Sequence, residues 1–244
     1  MGTQGTVRVR WTAEHIFFTG MAVVLFGSVF LGFARSYFLR PWFPEFRTQT
    51  PQESFFYIHG TIFALWYLLL VVQTTLIGGR RVGVHRKLGW FGAALAAVMI
   101  AVGVHGALIA ARRPGGFLGI PIPPKIFLVV PVVDLLLFAL FIGLAIGRRR
   151  DAQAHKRWML IGSIAIITAA VARWPFPFMD GGPPVFFGVT DAFLLPLLAW
   201  DLASRRRPHP VTIVGGLILI ASQPLRLVLS GTTLWERFAG WLLS

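Results

Sequence analysis

The chain has 244 residues, 56% of them hydrophobic and 13% charged, and its mean hydropathy is +0.71. A soluble domain of this size cannot hide that much apolar surface, so composition points to an integral membrane protein. The absence of cysteine excludes disulfides, thiolate metal sites and iron–sulfur clusters. A net charge of +14 would suggest nucleic acid in a soluble protein. Here the cations sit mostly in short links between apolar runs, where topology and anionic lipid headgroups explain them and no nucleic acid is needed.

Seven apolar runs approach the length needed to cross a hydrocarbon core of about 30 Å. They lie near residues 16–36, 54–77, 88–111, 126–147, 158–174, 189–203 and 211–230. The expected fold is therefore an all-α polytopic bundle of seven transmembrane helices forming one domain, residues 1–244. The first run follows Arg8 and Arg10 like a signal peptide, but it is longer than a usual signal core and is read as a span. The fifth and sixth runs are short and need interfacial residues or a thin bilayer. The tail "TTLWERFAGWLL" carries Leu234, Phe238, Trp241 and Leu242 on one side, which suits a helix lying along the outer interface.

Lys/Arg asymmetry sets the expected orientation. With the amino terminus inside, the inner segments hold 14 of the 23 basic residues, including Arg80, Arg81, Arg148, Arg149, Arg150 and Arg205 to Arg207. The reverse would place the densest clusters outside, against the positive-inside rule, so the expectation is N-in and C-out. A faint internal repeat pairs "GGRRVGVHRKLGWFG" before the third run with "GRRRDAQAHKRWMLIG" before the fifth. Shared interfacial anchoring accounts for this likeness.

Ionisable residues at membrane depth are functional candidates by default. Helical rise puts His59 and His105 each about 8 Å from the outer ends of the second and third helices, and Asp134 about 12 Å inside the fourth. Arg173 closes the fifth helix, Asp191 opens the sixth, and Gln223 and Arg226 occupy the outer half of the seventh. Because the second and third helices run antiparallel, His59 and His105 share a depth. Paired imidazoles across two helices are an axial arrangement for a b-type haem, or ligands for another metal. Ala94, Ala97 and Ala101 share a helix face with His105 and would leave a groove beside it. Arg173 and Arg226 could pair with haem propionates, and Asp134 with either arginine. Polar groups also glue helices together in lipid, which suits Gln73 and Trp66 on the stripe of His59. The inner-side histidines, His15, His85, His155 and His209, lie too deep on the other side to join that site; a second haem or a divalent metal at the inner face is one reading of them, and solvated interfacial histidines are the favoured one.

The order His59, Gln73 and "HRKLGW" at His85 to Trp90 resembles a pattern in uncharacterised bacterial multi-span membrane proteins. The resemblance covers roughly residues 55–110 and implies a helical bundle in the bacterial inner membrane. A looser similarity is to two-haem b-type membrane cytochromes, whose four core helices carry paired histidines. This chain departs from them: its fourth helix has Asp134 and no histidine, and its fifth has a histidine only at the inner boundary.

Three functions follow from these residues. The first is a haem-binding or other redox membrane protein using His59 and His105, working with a redox partner. The second is a small proton-coupled transporter using Asp134, His59 and Arg226. Pro224 in the seventh helix supports it, because proline frees carbonyls near a site. The third is an accessory subunit among other membrane subunits, with lipids as its remaining partners. No HExxH, Walker or GxSxG motif supports hydrolase chemistry.

Overall fold

A computed structural model describes residues 10–45, 54–117 and 120–244. The chain is all-α: helix makes up 83% of it, and no strand occurs among the described residues. The helices are α1 (Ala13–Phe33), α2 (Ser54–Gly78), α3 (Val82–Arg112), α4 (Pro124–Phe127), α5 (Val129–Gly147), α6 (Ala152–Ala165), α7 (Thr168–Val171), α8 (Pro183–Ala192), α9 (Leu194–Arg205), α10 (Pro210–Ser230) and α11 (Thr233–Leu243). A π-helical turn, Ala34–Phe38, extends α1.

Among the described residues, six helical stretches are long and apolar enough to cross a membrane: Ala13–Phe38, Ser54–Gly78, Val82–Arg112, Pro124–Gly147, Pro183–Arg205 and Pro210–Ser230. Their outward faces are apolar, with Leu136, Leu217 and Val228 all more than 60% exposed. Exposed apolar surface on this scale has lipid as its natural solvent, as in a multi-pass membrane protein. The expected span at 158–174 takes a different form. It begins earlier, at Ala152, and is broken into α6 and α7 at Ile166 and Ile167. The run Ile164-Ala165-Ile166-Ile167-Thr168 crowds β-branched side chains, which lose rotamer freedom in a helix. There the backbone tightens to i→i−3 bonds, Ile167 N to Ile164 O at 3.2 Å and Ala170 N to Ile167 O at 2.8 Å. The stretch after it is broken too, between α8 and α9 at Phe193. Pro196 cannot donate to the carbonyl of Ala192 and its ring crowds that carbonyl, so the helix opens there.

Short links join antiparallel neighbours and divide the molecule into two ends. The basic end carries residues 79–81, 148–151 and 206–209; the far end carries 113–117, 120–123, 172–182 and α11. Helix α6 is the central element, packed against α1, α5 and α10. Ile161, Ile164 and Ala165 on it are fully buried. Two buried bonds hold α2 to this core: Trp66 Nε1 donates to Ser163 Oγ at 3.0 Å and Tyr67 Oη to the Ser163 carbonyl at 2.8 Å. Helix α11 buries Trp235 and Ala239 and exposes Leu234 and Trp241. It is tied down by Trp235 Nε1 to the Lys125 carbonyl at 2.7 Å and by Arg112 to the Leu242 carbonyl at 3.1 Å.

Candidate functional site

Asp134 on α5 and Arg226 on α10 meet in the far half of the bundle, with Arg226 Nη1 donating to Asp134 Oδ1 at 2.5 Å. Only 7% of Asp134 and 2% of Arg226 is exposed. The guanidinium is held on its other edges by Ser222, whose Oγ accepts from Nη2 at 2.9 Å and whose carbonyl accepts from Nε at 3.3 Å. Phe187 of α8 covers it, with its ring centre 5.1 Å away. One turn back on α10, Gln223 Nε2 donates to Asp191 Oδ1 of α8 at 2.7 Å. Asp191 lies within electrostatic reach of Arg226.

The two broken helices meet beside this cluster. Thr190 of α8 donates to Thr168 Oγ1 of α7 at 3.4 Å, and both side chains are buried. In membrane proteins, irregular backbone at depth persists only where protein or a cavity satisfies it, and interrupted helices mark ion and solute sites. Pro224 adds to this. It leaves the Ile220 carbonyl without its helical donor, nearly two turns before Arg226. One arginine is paired with Asp134, and Asp191 is held nearby by Gln223, so the three groups carry one net negative charge when both acids are ionised. Binding one proton makes the cluster neutral, which a low-dielectric setting favours.

The other expected site residues lie apart from this cluster. His59 sits in the seam between α2 and α3, its ring stacked on Phe63 at 4.4 Å between centroids. Its Nδ1 is buried without a hydrogen-bond partner and lies 2.9 Å from where a Cβ on Gly106 would stand. His105 is exposed, and its ring meets Phe55 edge-on at 4.9 Å. Ala94, Ala97 and Ala101 are exposed with it, whereas α3 packs through Gly92, Ala96, Met99, Gly103, Gly106 and Ala107. Equal depth therefore does not bring the two imidazoles face to face. With His59 pressed on Gly106 and Phe55 against His105, this pair does not fit axial ligation of a haem. Arg173 turns toward α1, lying over the Phe33 ring at 5.3 Å and donating to the Ala169 carbonyl at 2.6 Å.

The basic end holds a second buried ion pair that sequence reading missed. Arg157 of α6 donates through Nε to Asp201 Oδ1 of α9 at 3.1 Å, and a second contact from Nη2 completes the pair. Asp201 Oδ2 accepts from Thr212 Oγ1 at 2.6 Å and from the His209 backbone at 3.0 Å. Arg157 is among the 14 basic residues of the inner segments, where its charge reads as topology alone. An aspartate inside the apolar run 189–203 was the signal available.

Four histidines lie at this end, and two of them are helix caps. Thr12 and His15 form the reciprocal cap of α1, and His209 Nδ1 accepts from Val211 N at 3.1 Å to start α10. The other two, His85 and His155, face one another with ring centres 6.4 Å apart. Gln73 reaches across from α2 to this pair. With its amide nitrogen turned to His85 it donates to Nδ1 at 2.7 Å, while its oxygen accepts from Gly89 N at 3.1 Å. The expected inter-helix role of Gln73 thus has a specific partner.

Among the described residues, no group of three or more histidine and carboxylate side chains is placed to hold a metal ion. No family model, curated protein or solved structure matches the chain.

Proposed function

We propose that the chain is a proton-coupled carrier of the bacterial inner membrane, with seven crossings, the amino terminus inside and the carboxyl terminus outside. In this reading the broken pair α6–α7 makes the seventh crossing, and the basic end faces the cytoplasm as the positive-inside rule requires. The observation that carries the activity is the buried Arg226–Asp134 pair on α10 and α5, with a second carboxylate, Asp191, held one turn away by Gln223, at the meeting of two interrupted helices. The cluster takes up one proton to become neutral. Repacking α8 against α10 then gives that proton a path from one side to the other.

Proton movement is the first test. Purified protein in liposomes containing a pH-sensitive dye, driven by a potassium diffusion potential, is expected to acidify or alkalinise the lumen faster than empty liposomes. Asp134→Asn is expected to lower that rate to the empty-liposome level. A wild-type rate equal to that of empty liposomes, or an Asp134→Asn rate equal to wild type, removes the relay. Orientation is tested with single cysteines, which the cysteine-free chain makes straightforward. An impermeant maleimide added to intact cells is expected to label Ser244→Cys and spare Ser204→Cys.

A further inference from the structure

Gln73 of α2 closes on one turn of α3 from the side. Its Nε2 donates to the His85 carbonyl at 3.3 Å and to His85 Nδ1 at 2.7 Å, and its oxygen accepts from Gly89 N at 3.1 Å. His85 and Gly89 stand four apart, so their carbonyl and N–H are the acceptor and donor of a single helical turn. That pair fixes which way the amide points. Turned over, it would set oxygen against the His85 carbonyl and N–H against the Gly89 N–H. An amide nitrogen only donates, so His85 Nδ1 must hold a lone pair, and the ring is neutral with its proton on Nε2. The contacts that tie α2 to this turn of α3 therefore depend on one imidazole staying uncharged.

The surroundings give a charged His85 nothing to pair with. On α6 the facing titratable group is His155, with ring centres 6.4 Å apart, and its Nδ1 lies 2.8 Å from the Ala145 carbonyl of α5. From α2 the facing group is Gln73, which does not titrate. Arg81, Arg86 and Lys87 at the start of α3 and Arg148, Arg149 and Arg150 after α5 are exposed cations at the same end. The described carboxylates of the basic end are engaged elsewhere. Lys156 and Gln153 hold Glu14, the first turn of α6 holds Asp151, and Arg157 holds Asp201. Proton uptake at Nδ1 sets N–H against N–H, so the amide must turn over. It then accepts from Nδ1–H but faces the His85 carbonyl and the Gly89 N–H the wrong way, and three contacts become one.

We infer that Gln73 and His85 form a proton-operated clamp between α2 and α3, closed while His85 is neutral and released when its Nδ1 takes up a proton. The closed form binds one proton fewer than the released form, so acid favours release. The clamp lies at the basic end and reads the pH of that side, while the proposed relay lies at the far end. As a sensor acting on proton flux it rests on the carrier reading; as a clamp it does not.

The test uses the purified full chain in detergent, carrying His209→Asn so that the α10 cap does not titrate. Nitrogen NMR of histidine-labelled protein is expected to show His85 at mildly alkaline pH with a proton on Nε2 and none on Nδ1, its signal assigned by loss in His85→Asn. Between about pH 7.5 and 5.5 the unfolding temperature is expected to fall by about 2–4 °C more than it does in Gln73→Leu. Gln73→Glu is expected to reverse that difference, because a carboxylate accepts from both Nδ1–H and Gly89 N. It carries the test alone if Gln73→Leu does not fold. Variant curves parallel to the parent's overturn the clamp, and so does a His85 with its proton on Nδ1 at alkaline pH. Proton flux in liposomes at the same two pH values tests the sensor: Gln73→Leu is expected to change the ratio of the two rates by at least about twofold. An unchanged ratio overturns the sensor. A pH-dependent clamp in a chain without flux removes the carrier reading and leaves the clamp, and flux without a pH-dependent clamp does the reverse.

Discussion

Arg157 and Asp201 form an ion pair in which neither side chain has any exposed surface. Burying two charges costs more than their attraction returns unless the remaining donors and acceptors are also satisfied. Here they are. Asp201 accepts from Thr212 and the His209 backbone, while Arg157 Nη1 donates to the Gln153 carbonyl at 2.9 Å and its side-chain oxygen at 2.7 Å. Gln153 continues the chain to Glu14 on α1 at 2.9 Å, so one network joins α1, α6, α9 and α10. Removing one partner leaves the other charge buried and alone. Asp201→Leu is expected to lose about 3–5 kcal/mol of stability. The double variant Arg157→Met/Asp201→Leu is expected to recover most of that loss, read as thermal unfolding in detergent. A double variant as unstable as the sum of the singles would mean the network does more than neutralise charge.

The Gln223–Asp191 contact separates charge from packing in the proposed relay. Gln223→Leu leaves Asp191 without its donor and is expected to cost about 1–3 kcal/mol. Asp191→Asn keeps an oxygen that Gln223 can reach, so its effect on unfolding is expected to be smaller. Its effect on proton flux is expected to be larger, because the cluster Asp134–Arg226–Asp191 loses the carboxylate that gives it a proton to bind. Flux and unfolding temperature measured on both variants should therefore rank them in opposite orders. The same ranking in both measurements would make Asp191 structural.

Most of the architecture was legible because hydropathy reports burial in lipid directly: six of the seven expected runs appear as apolar helical stretches, four within three residues of their expected limits and two, Val82–Arg112 and Pro183–Arg205, starting six residues earlier. The fifth run, 158–174, was visible as apolar sequence, but its break was not, because Ile164 to Thr168 reads equally well as a buried helix. Depth was legible for the site residues and rotation was not. His59 and His105 share a level, yet one residue turns a helix by about 100°, and α3 offers two faces of small residues. Only packing chooses the face with Gly103 and Gly106, which leaves His105 outside. Asp134 and Arg226 were easier to read, since charges within apolar runs must find each other or water. The approach of His85 and His155 depends on how two hairpins pack, and the repeat hinted at it only as a shared anchor pattern.

His209 gives the basic end a calculable pH response. Burial first, then the nearby Arg157 and Arg205, hold its imidazole below the usual 6.5, against the opposing pull of Asp201 and Asp151. Its Nδ1 caps α10 by accepting from Val211, a role open only to the neutral ring. The folded pKa is thus depressed, and the unfolded state binds more protons below 6.5. Stability should be fully present above about pH 6.5 and fall as pH drops through the lower folded value. Asn is also a good N-cap and does not titrate. His209→Asn is expected to match wild type near pH 7.5 and to exceed it near pH 5.5, measured as unfolding temperature in the same detergent. Parallel pH curves for the two proteins would remove His209 as the source.

Two glycines on α1 predict opposite signs for one substitution. A Cβ on Gly32 would lie 2.1 Å from the Ala170 carbonyl oxygen and 2.7 Å from its carbon, so α1 and α7 touch backbone to backbone. That contact braces the short helix just after the break at Ile166 and Ile167, and nothing flexible lies there to give way. A Cβ on Gly27 would meet nothing within 4 Å. Alanine is favoured over glycine in a helix by about 1 kcal/mol, so Gly27→Ala is expected to stabilise by up to that amount. The same gain is outweighed in Gly32→Ala, where forced separation of α1 and α7 is expected to cost about 1–3 kcal/mol. Unfolding temperatures of the two variants should move in opposite directions from wild type. A stabilised Gly32→Ala would mean that α1 and α7 sit farther apart than this packing places them, and would loosen the wall behind Thr168 and the far-end cluster.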